Sequence, residues 1–233
     1  MARQNVLLRG GWRYVKTIGG AEDQKYHNPW DLALRPDGVM AVLCRQQKNW
    51  TKIILNTFDD EEYLGEFGEF GTDVGQLARP TCLAFDRDGL LYVADEHSNR
   101  ISIYSIDPKE VAANGGPPTI IRFGMVVTQV GKFVSHWGTT GRGDGELNGP
   151  SSMVFDSDDN LYVVDHRNSR VQKFTKDGRF LAKWGSLGTG EREFNLPWGI
   201  TLDHEGNVYV ADWRNDRVQK FTADGEFLAS FGS

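Results

Sequence analysis

The sequence predicts an all-β chain folded as a β-propeller of four-stranded antiparallel blades. Three observations carry that expectation: a long-period repeat held in register, short β-branched and aromatic segments bounded by Gly, Asp and Asn, and no helical periodicity. Four segments open on a proline, at Pro29, Pro80, Pro150 and Pro197. Nine residues after each proline stands a turn residue, namely Gly38, Gly89, Asp159 and Gly206. Fifteen residues after come Cys44, Asp95, Asp165 and Asp212, and twenty after come Asn49, Arg100, Arg170 and Arg217. Each unit closes on an aromatic–glycine pair: Phe67-Gly68, Trp137-Gly138, Trp184-Gly185 and Phe231-Gly232. Three residues before each proline is an apolar anchor, Tyr26, Leu77, Leu147 or Phe194. A blade-sized sheet cannot bury both of its faces alone, and stacking neighbours around an axis solves that problem.

Taken in order, residues 1–9 read as an N-terminal tip. Tyr14-Val-Lys-Thr-Ile-Gly19 aligns with Phe180-Leu-Ala-Lys-Trp-Gly185, so residues 13–18 are expected to be the outermost strand of a preceding blade. The first blade, about 29–68, has Cys44 and Asn49 where the other units have Asp and Arg. The second, 80–138, carries 23 extra residues near 107–130. Their centre, DPKEVAANGGPP, is polar and turn-like, and reads as a surface excursion. The third blade is 150–185. The fourth, 197–232, shows the pattern most plainly, with strands at Trp198–Leu202, Asn207–Ala211, Val218–Thr222 and Phe227–Phe231. Residues 10–233 thus form one propeller domain of four blades plus an orphan outer strand. The terminal strands are of one type and cannot complete one blade together. The chain is therefore expected to belong to a larger ring, or to close by association with another copy.

Composition narrows the function classes. The 233 residues hold 26 Lys+Arg against 32 Asp+Glu, a net charge of −6, which weighs against a general nucleic-acid coat. No apolar run reaches the roughly 18 residues of a membrane span, and the N-terminus lacks the apolar core of a secretory signal. No membrane association and a cytoplasmic location are the default expectations. Two cysteines, Cys44 and Cys82, cannot staple a fold of this size and read as buried small hydrophobes.

The pairs Asp95/Arg100, Asp165/Arg170 and Asp212/Arg217 recur once per blade across the turn between second and third strands. A feature repeated in every unit belongs to the repeat, so these pairs are expected to be structural, each meeting as a charge-assisted bond. The variable positions inside those turns are Arg45-Gln46, Glu96-His97, His166-Arg167 and Trp213-Arg214. On one face of the disc they would display Arg45, His97, His166, Arg167, Trp213 and Arg214 against a single acid, Glu96. Arg and Trp are favoured at binding hot spots. Trp30 and Trp198, directly after their prolines, open innermost strands at the channel mouth. No catalytic constellation, metal site or cofactor is read: no GxSxG elbow is present, and the five histidines have neither HxH nor HxxxH spacing.

The segments Tyr162-Val-Val-Asp165-His-Arg-Asn168-Ser-Arg170-Val-Gln-Lys-Phe174 and Tyr209-Val-Ala-Asp212-Trp-Arg-Asn215-Asp-Arg217-Val-Gln-Lys-Phe221 resemble the NHL-repeat family. That resemblance implies a six-bladed propeller. Its members include partner-binding modules of ubiquitin ligases, RNA regulators, receptor-kinase sensor domains and an amidating lyase that uses histidine ligands for zinc. The resulting expectation is a non-enzymatic scaffold that binds a protein or peptide partner on the turn face. The alternatives are a propeller enzyme, metal-dependent lyase or lactonase-like, and an RNA-binding NHL module, which the acidic charge disfavours.

Overall fold

The computed structural model describes residues 26–46, 50–60, 62–106, 119–122, 125–128 and 130–232. The expected tip 1–9, the strand at 13–18, Asn49 and the polar centre of the insertion at 107–118 lie outside the described residues. The rest is all-β. Four antiparallel sheets of four strands each follow one another along the chain, and within each sheet every strand pairs with the next strand of that sheet, in one case across an insertion. Blade 1 comprises Pro29–Leu34, Val39–Gln46, Trp50–Thr57 and Tyr63–Phe67. Blade 2 comprises Pro80–Phe85, Leu91–Asp95, Arg100–Ser105 and Lys132–Trp137. Blade 3 comprises Pro150–Phe155, Asn160–Asp165, Arg170–Thr175 and Phe180–Trp184. Blade 4 comprises Pro197–Leu202, Val208–Asp212, Arg217–Phe221 and Phe227–Gly232. The innermost strands of successive blades pack against one another around the propeller axis.

The insertion in blade 2 contains two further strands. Thr119–Arg122 and Met125–Thr128 pair as an antiparallel hairpin. Val130, just beyond it, is buried in the core between blades 1 and 2. The hairpin segments TIIR and MVVT are rich in β-branched residues, and that composition favours strand over loop.

Three of the apolar cores among the described residues lie between blades, and a fourth, Met40, Val42, Cys44 and Ile54, lies on blade 1 alone. In blade 2, Leu91 and Val93 pack toward blade 1, while Tyr92 and Ala94 pack toward blade 3. In blade 3, Leu161 and Val163 face blade 2, and Tyr162 faces blade 4. A strand buried on both faces must read as a continuous apolar run, which is why LYVAD and LYVVD show no alternation. The closing tryptophans seal these seams. Trp137 stacks near Phe174 of the next blade at 4.8 Å, and Trp184 near Phe221 at 6.0 Å. Each indole lies flat on a turn glycine of that next blade. A Cβ built on Gly178 would come within 2.4 Å of Trp137, and one on Gly225 within 2.6 Å of Trp184. Both glycines also have positive φ, 88° and 84°, a conformation that glycine adopts at little cost.

A loop joins each blade to the next, and the repeated Asp/Arg pair holds it. In blade 3, Arg170 donates from Nε to Asp165 at 2.7 Å and from its terminal nitrogens to the carbonyls of Arg142, Gly143 and Glu146. Asp165 also accepts from the Asn148 amide at 2.7 Å, so carboxylate and guanidinium together fix the incoming loop. Blade 4 repeats this with Asp212, Arg217 and the carbonyls of Thr189, Gly190 and Glu193. Blade 2 corrects the expectation of a direct pair. Asp95 accepts four backbone amides, from Ala78, Arg79, His97 and Ser98, and Arg100 holds the loop carbonyls while its Nε has no hydrogen-bond partner. The reason lies in two neighbours. Asn168 and Gln172 donate to the Asp165 carboxylate and hold it toward Arg170. Ser98 and Ser102 stand at those positions in blade 2 and are too short to do so.

Candidate functional site

The first strand of each blade begins with a β-bulge. Pro29, Pro80, Pro150 and Pro197 pair with Cys44, Asp95, Asp165 and Asp212, and the register then skips one residue. The skipped residues are Trp30, Thr81, Ser151 and Trp198. A bulge re-aims the side chain it carries, and here it turns these four residues to the mouth of the axial channel. Two of them tie blades together. Thr81 Oγ1 donates to the Pro150 carbonyl at 2.8 Å, and Ser151 Oγ donates to the Trp198 carbonyl at 2.8 Å. Trp30 and Trp198 instead present indoles.

An open cavity of about 360 Å³ occupies the mouth, walled by Trp30, Asp31, Thr81, Cys82, Ser151, Ser152 and Trp198. Asp31 was not singled out from sequence, because only its place beside a bulged tryptophan marks it. Its Oδ2 accepts the Leu83 amide at 2.7 Å, which joins blade 1 to blade 2. Burial raises its carboxyl above the ordinary value of 3.8, partly offset by the Leu83 hydrogen bond. A carboxyl whose folded pKa is raised costs stability at pH values above that pKa and costs nothing below the ordinary one. Asp31→Asn is therefore expected to stabilise the protein at neutral pH, with the gain fading as pH falls toward 3.8. Urea midpoints of both proteins across that range would show it; a gain independent of pH would contradict the assignment. Cys82 is buried at the cavity wall, where Sγ accepts the Met153 amide at 3.3 Å and burial pushes its thiol pKa up. Cys44 is buried too, its thiol pushed up to about 11 by burial.

Beside the cavity, three arginines from three blades surround one acid. Glu96 is 6% exposed. Its Oε1 lies 2.6 Å from Arg79 Nε and 3.6 Å from Arg45 Nη1, and its Oε2 lies 3.8 Å from Arg167 Nη2. Arg45 is mostly buried, stacked on Trp30 at 3.8 Å, and it donates to the Pro80 carbonyl at 3.0 Å. Arg79 and Arg167 are about half exposed, at 57% and 48%. Further round the rim, Trp198 meets Trp213 at 6.4 Å, and Arg214 lies over Trp213 at 4.6 Å.

The residues singled out from sequence divide accordingly. Trp30 and Trp198 line the cavity; Arg45 and Arg167 join the Glu96 cluster; Trp213 and Arg214 form the exposed rim near Trp198. Arg45 and Gln46 are not in a turn, however. Both lie in the strand Val39–Gln46, which runs on because blade 1 lacks the Asp-governed turn. His97 is exposed. His166 is not displayed: it is buried, with Nδ1 2.9 Å from the Pro197 carbonyl and its ring edge-on to Trp198 at 5.1 Å. The position after the blade 3 Asp thus serves the seam to blade 4, as Arg45 and Thr81 serve theirs. Arg79 was missed because it precedes Pro80, outside the turns, where the other blades have Asn28, Gly149 and Leu196. Among the described residues, no group of three or more His, Cys, Asp or Glu is placed to hold a metal ion, and no helix is long and apolar enough to cross a membrane.

Residues 77–104, 147–174 and 194–221 match the NHL repeat. The chain carries NHL repeats. Each matched NHL segment begins on an apolar anchor, Leu77, Leu147 or Phe194, and ends in the third strand of its blade. Each holds the Asp/Arg pair that blade 1 replaces with Cys44 and Asn49. No curated protein matches the chain in sequence. Among solved structures, it resembles virginiamycin B lyase from Staphylococcus aureus, with TM-score 0.57 and 16% identity over 88% of this chain and 56% of that one. It also resembles a functionally unknown protein from Desulfotomaculum acetoxidans, with TM-score 0.61 and 15% identity over 88% and 56%. A third likeness is to hydrazine synthase of Kuenenia stuttgartiensis, with TM-score 0.58 and 13% identity over 95% and 53%. At these identities the likeness is one of fold. The NHL-repeat chain spans little more than half the length of each of these structures.

Proposed function

We propose that this NHL-repeat propeller is a non-enzymatic docking module that binds a protein or peptide partner on the face carrying the second-to-third strand turns. One observation carries the reading. On that face, half-exposed arginines and indoles contributed by all four blades ring the channel mouth. Trp30 and Trp213 are 46% and 54% exposed. Exposed Trp and Arg grouped around a concavity are what protein-binding hot spots are made of, and a solvated turn surface has no need to collect them. The lyase likeness is one of fold alone, and fold does not assign activity.

The test is capture of partners from source-cell lysate by wild type and by Arg167→Glu/Arg214→Glu, after both show the same melting temperature. A partner retained by wild type and lost by the variant is the expected result. Equal recovery by both, or no partner, would remove the docking reading and bring forward assays for lyase and lactonase chemistry.

A further inference from the structure

Arg79, Arg167 and Arg45 hold more positive charge than their one acid answers. Glu96 is nearly fully buried, and its contacts to Arg45 and Arg167, at 3.6 and 3.8 Å, are too long for direct hydrogen bonds. The 2.6 Å approach of Arg79 is not aligned as a hydrogen bond either, since Glu96 Oε1 has no hydrogen-bond partner. The buried acid therefore keeps the three guanidinium groups together without saturating their donors. Arg45 is committed to Trp30 and the Pro80 carbonyl. Arg79 and Arg167 are the members that reach solvent, on either side of Glu96. Two exposed guanidinium groups with donors to spare match a carboxylate, which accepts from both along its two oxygens.

The adjoining cavity adds a second requirement. Its volume of about 360 Å³ lies at the small end of ligand sites, and Trp30 and Trp198 stand on opposite inner strands at its edge. Its wall also holds Asp31, an acid that disfavours a second negative charge inside. An incoming carboxylate is thus held at the rim, on the arginines, and the space edged by the two indoles, with Thr81, Ser151 and Ser152 on its wall, suits an aromatic group that carries a polar edge. Resting on the docking reading above, we infer that the channel mouth recognises an acidic peptide segment whose carboxylate bridges Arg79 and Arg167 while a neighbouring aromatic side chain enters between Trp30 and Trp198. Nucleic acid fits the charge pattern less well. Strong phosphate-backbone binding recruits on the order of 6–10 cationic contacts. Around this mouth stand Arg45, Arg79, Arg167 and Arg214 against Glu96 and Asp31, on a chain of net charge −6.

The test is a titration followed by the indole N–H signals of isotope-labelled protein. The probes are N-acetyl-Trp-Asp-Asp-amide, its uncharged counterpart N-acetyl-Trp-Asn-Asn-amide, and an oligouridylate. The expected result is saturable movement of the Trp30 and Trp198 signals by the acidic peptide, with binding at least about tenfold weaker for the amide counterpart, the scale of one lost charged hydrogen bond. Arg79→Gln/Arg167→Gln should reduce the acidic peptide to the level of the amide one. Arg45 remains beside Glu96 in that variant, and the comparison of the two peptides on wild type stands whether or not the variant folds. Equal response to both peptides, no response to either, or tighter binding of oligouridylate would each overturn the inference. A protein partner captured through Arg167 and Arg214 despite such a result would keep the docking reading and discard only the acidic chemistry.

Discussion

Replacing Asp165 by Ala is expected to destabilise the protein by about 3–5 kcal/mol, the scale of leaving one partner of a buried ion pair without the other. For a chain of this size the melting temperature should fall by roughly 6–20 °C. Asp165 is fully buried and accepts from Arg170 Nε, Asn168, Gln172 and the Asn148 amide. Its loss strands the Arg170 guanidinium, itself only 7% exposed, against three loop carbonyls with no counter-charge. Asp165→Asn separates charge from shape, because an amide oxygen still accepts from Asn148 but carries no negative charge; an intermediate loss is expected. Thermal and urea unfolding of the three proteins measure both effects. A melting temperature unchanged in Asp165→Ala would show that the pair is not what fixes the incoming loop.

Truncating Trp184 should cost a similar amount by a different route. The indole is 3% exposed and packs in the core between blades 3 and 4, near Tyr162 and Phe221 and flat over Gly225. Trp184→Ala opens a cavity that Gly225 has no side chain to refill, at about 3–5 kcal/mol for a buried aromatic residue. Trp184→Phe is expected to cost much less. The indole Nε1 has no hydrogen-bond partner, so nothing polar is lost and the ring face on Gly225 is kept. Chemical denaturation distinguishes the two, and similar losses in both would mean that ring size rather than ring contact governs this seam.

Much of this was readable from residues at fixed offsets. The proline, the Asp fifteen residues on and the Arg twenty on mark inner-strand start, second-strand end and third-strand start in blades 2, 3 and 4. What the offsets could not convey was partner choice. Asp95 and Arg100 have the same spacing as Asp165 and Arg170, yet the serines at 98 and 102 let the carboxylate turn to the amides. The site was half legible for the same reason. Trp30 and Trp198 were visible because a residue after the blade proline is a fixed place in the repeat. Asp31 acts through a neighbour in another blade, Leu83, and the Arg79–Glu96 pair gathers Arg45 and Arg167 from blades 1 and 3, which no within-blade offset connects to it. His166 looked displayed because its turn is at the surface; only the Pro197 carbonyl of the next blade shows why it is buried.

Three of the apolar cores belong to two blades at once. A whole blade exchanged with that of a related propeller would therefore import two half-interiors together, and both would have to match strangers. Inheritance along such a chain favours duplication of neighbours over replacement of single units, since a copied blade arrives beside a face it already fits. For the same reason, Trp184→Ala and Phe221→Ala, which strike a common seam, should be non-additive in a double-mutant cycle, while Trp184→Ala combined with a lesion between blades 1 and 2 should sum.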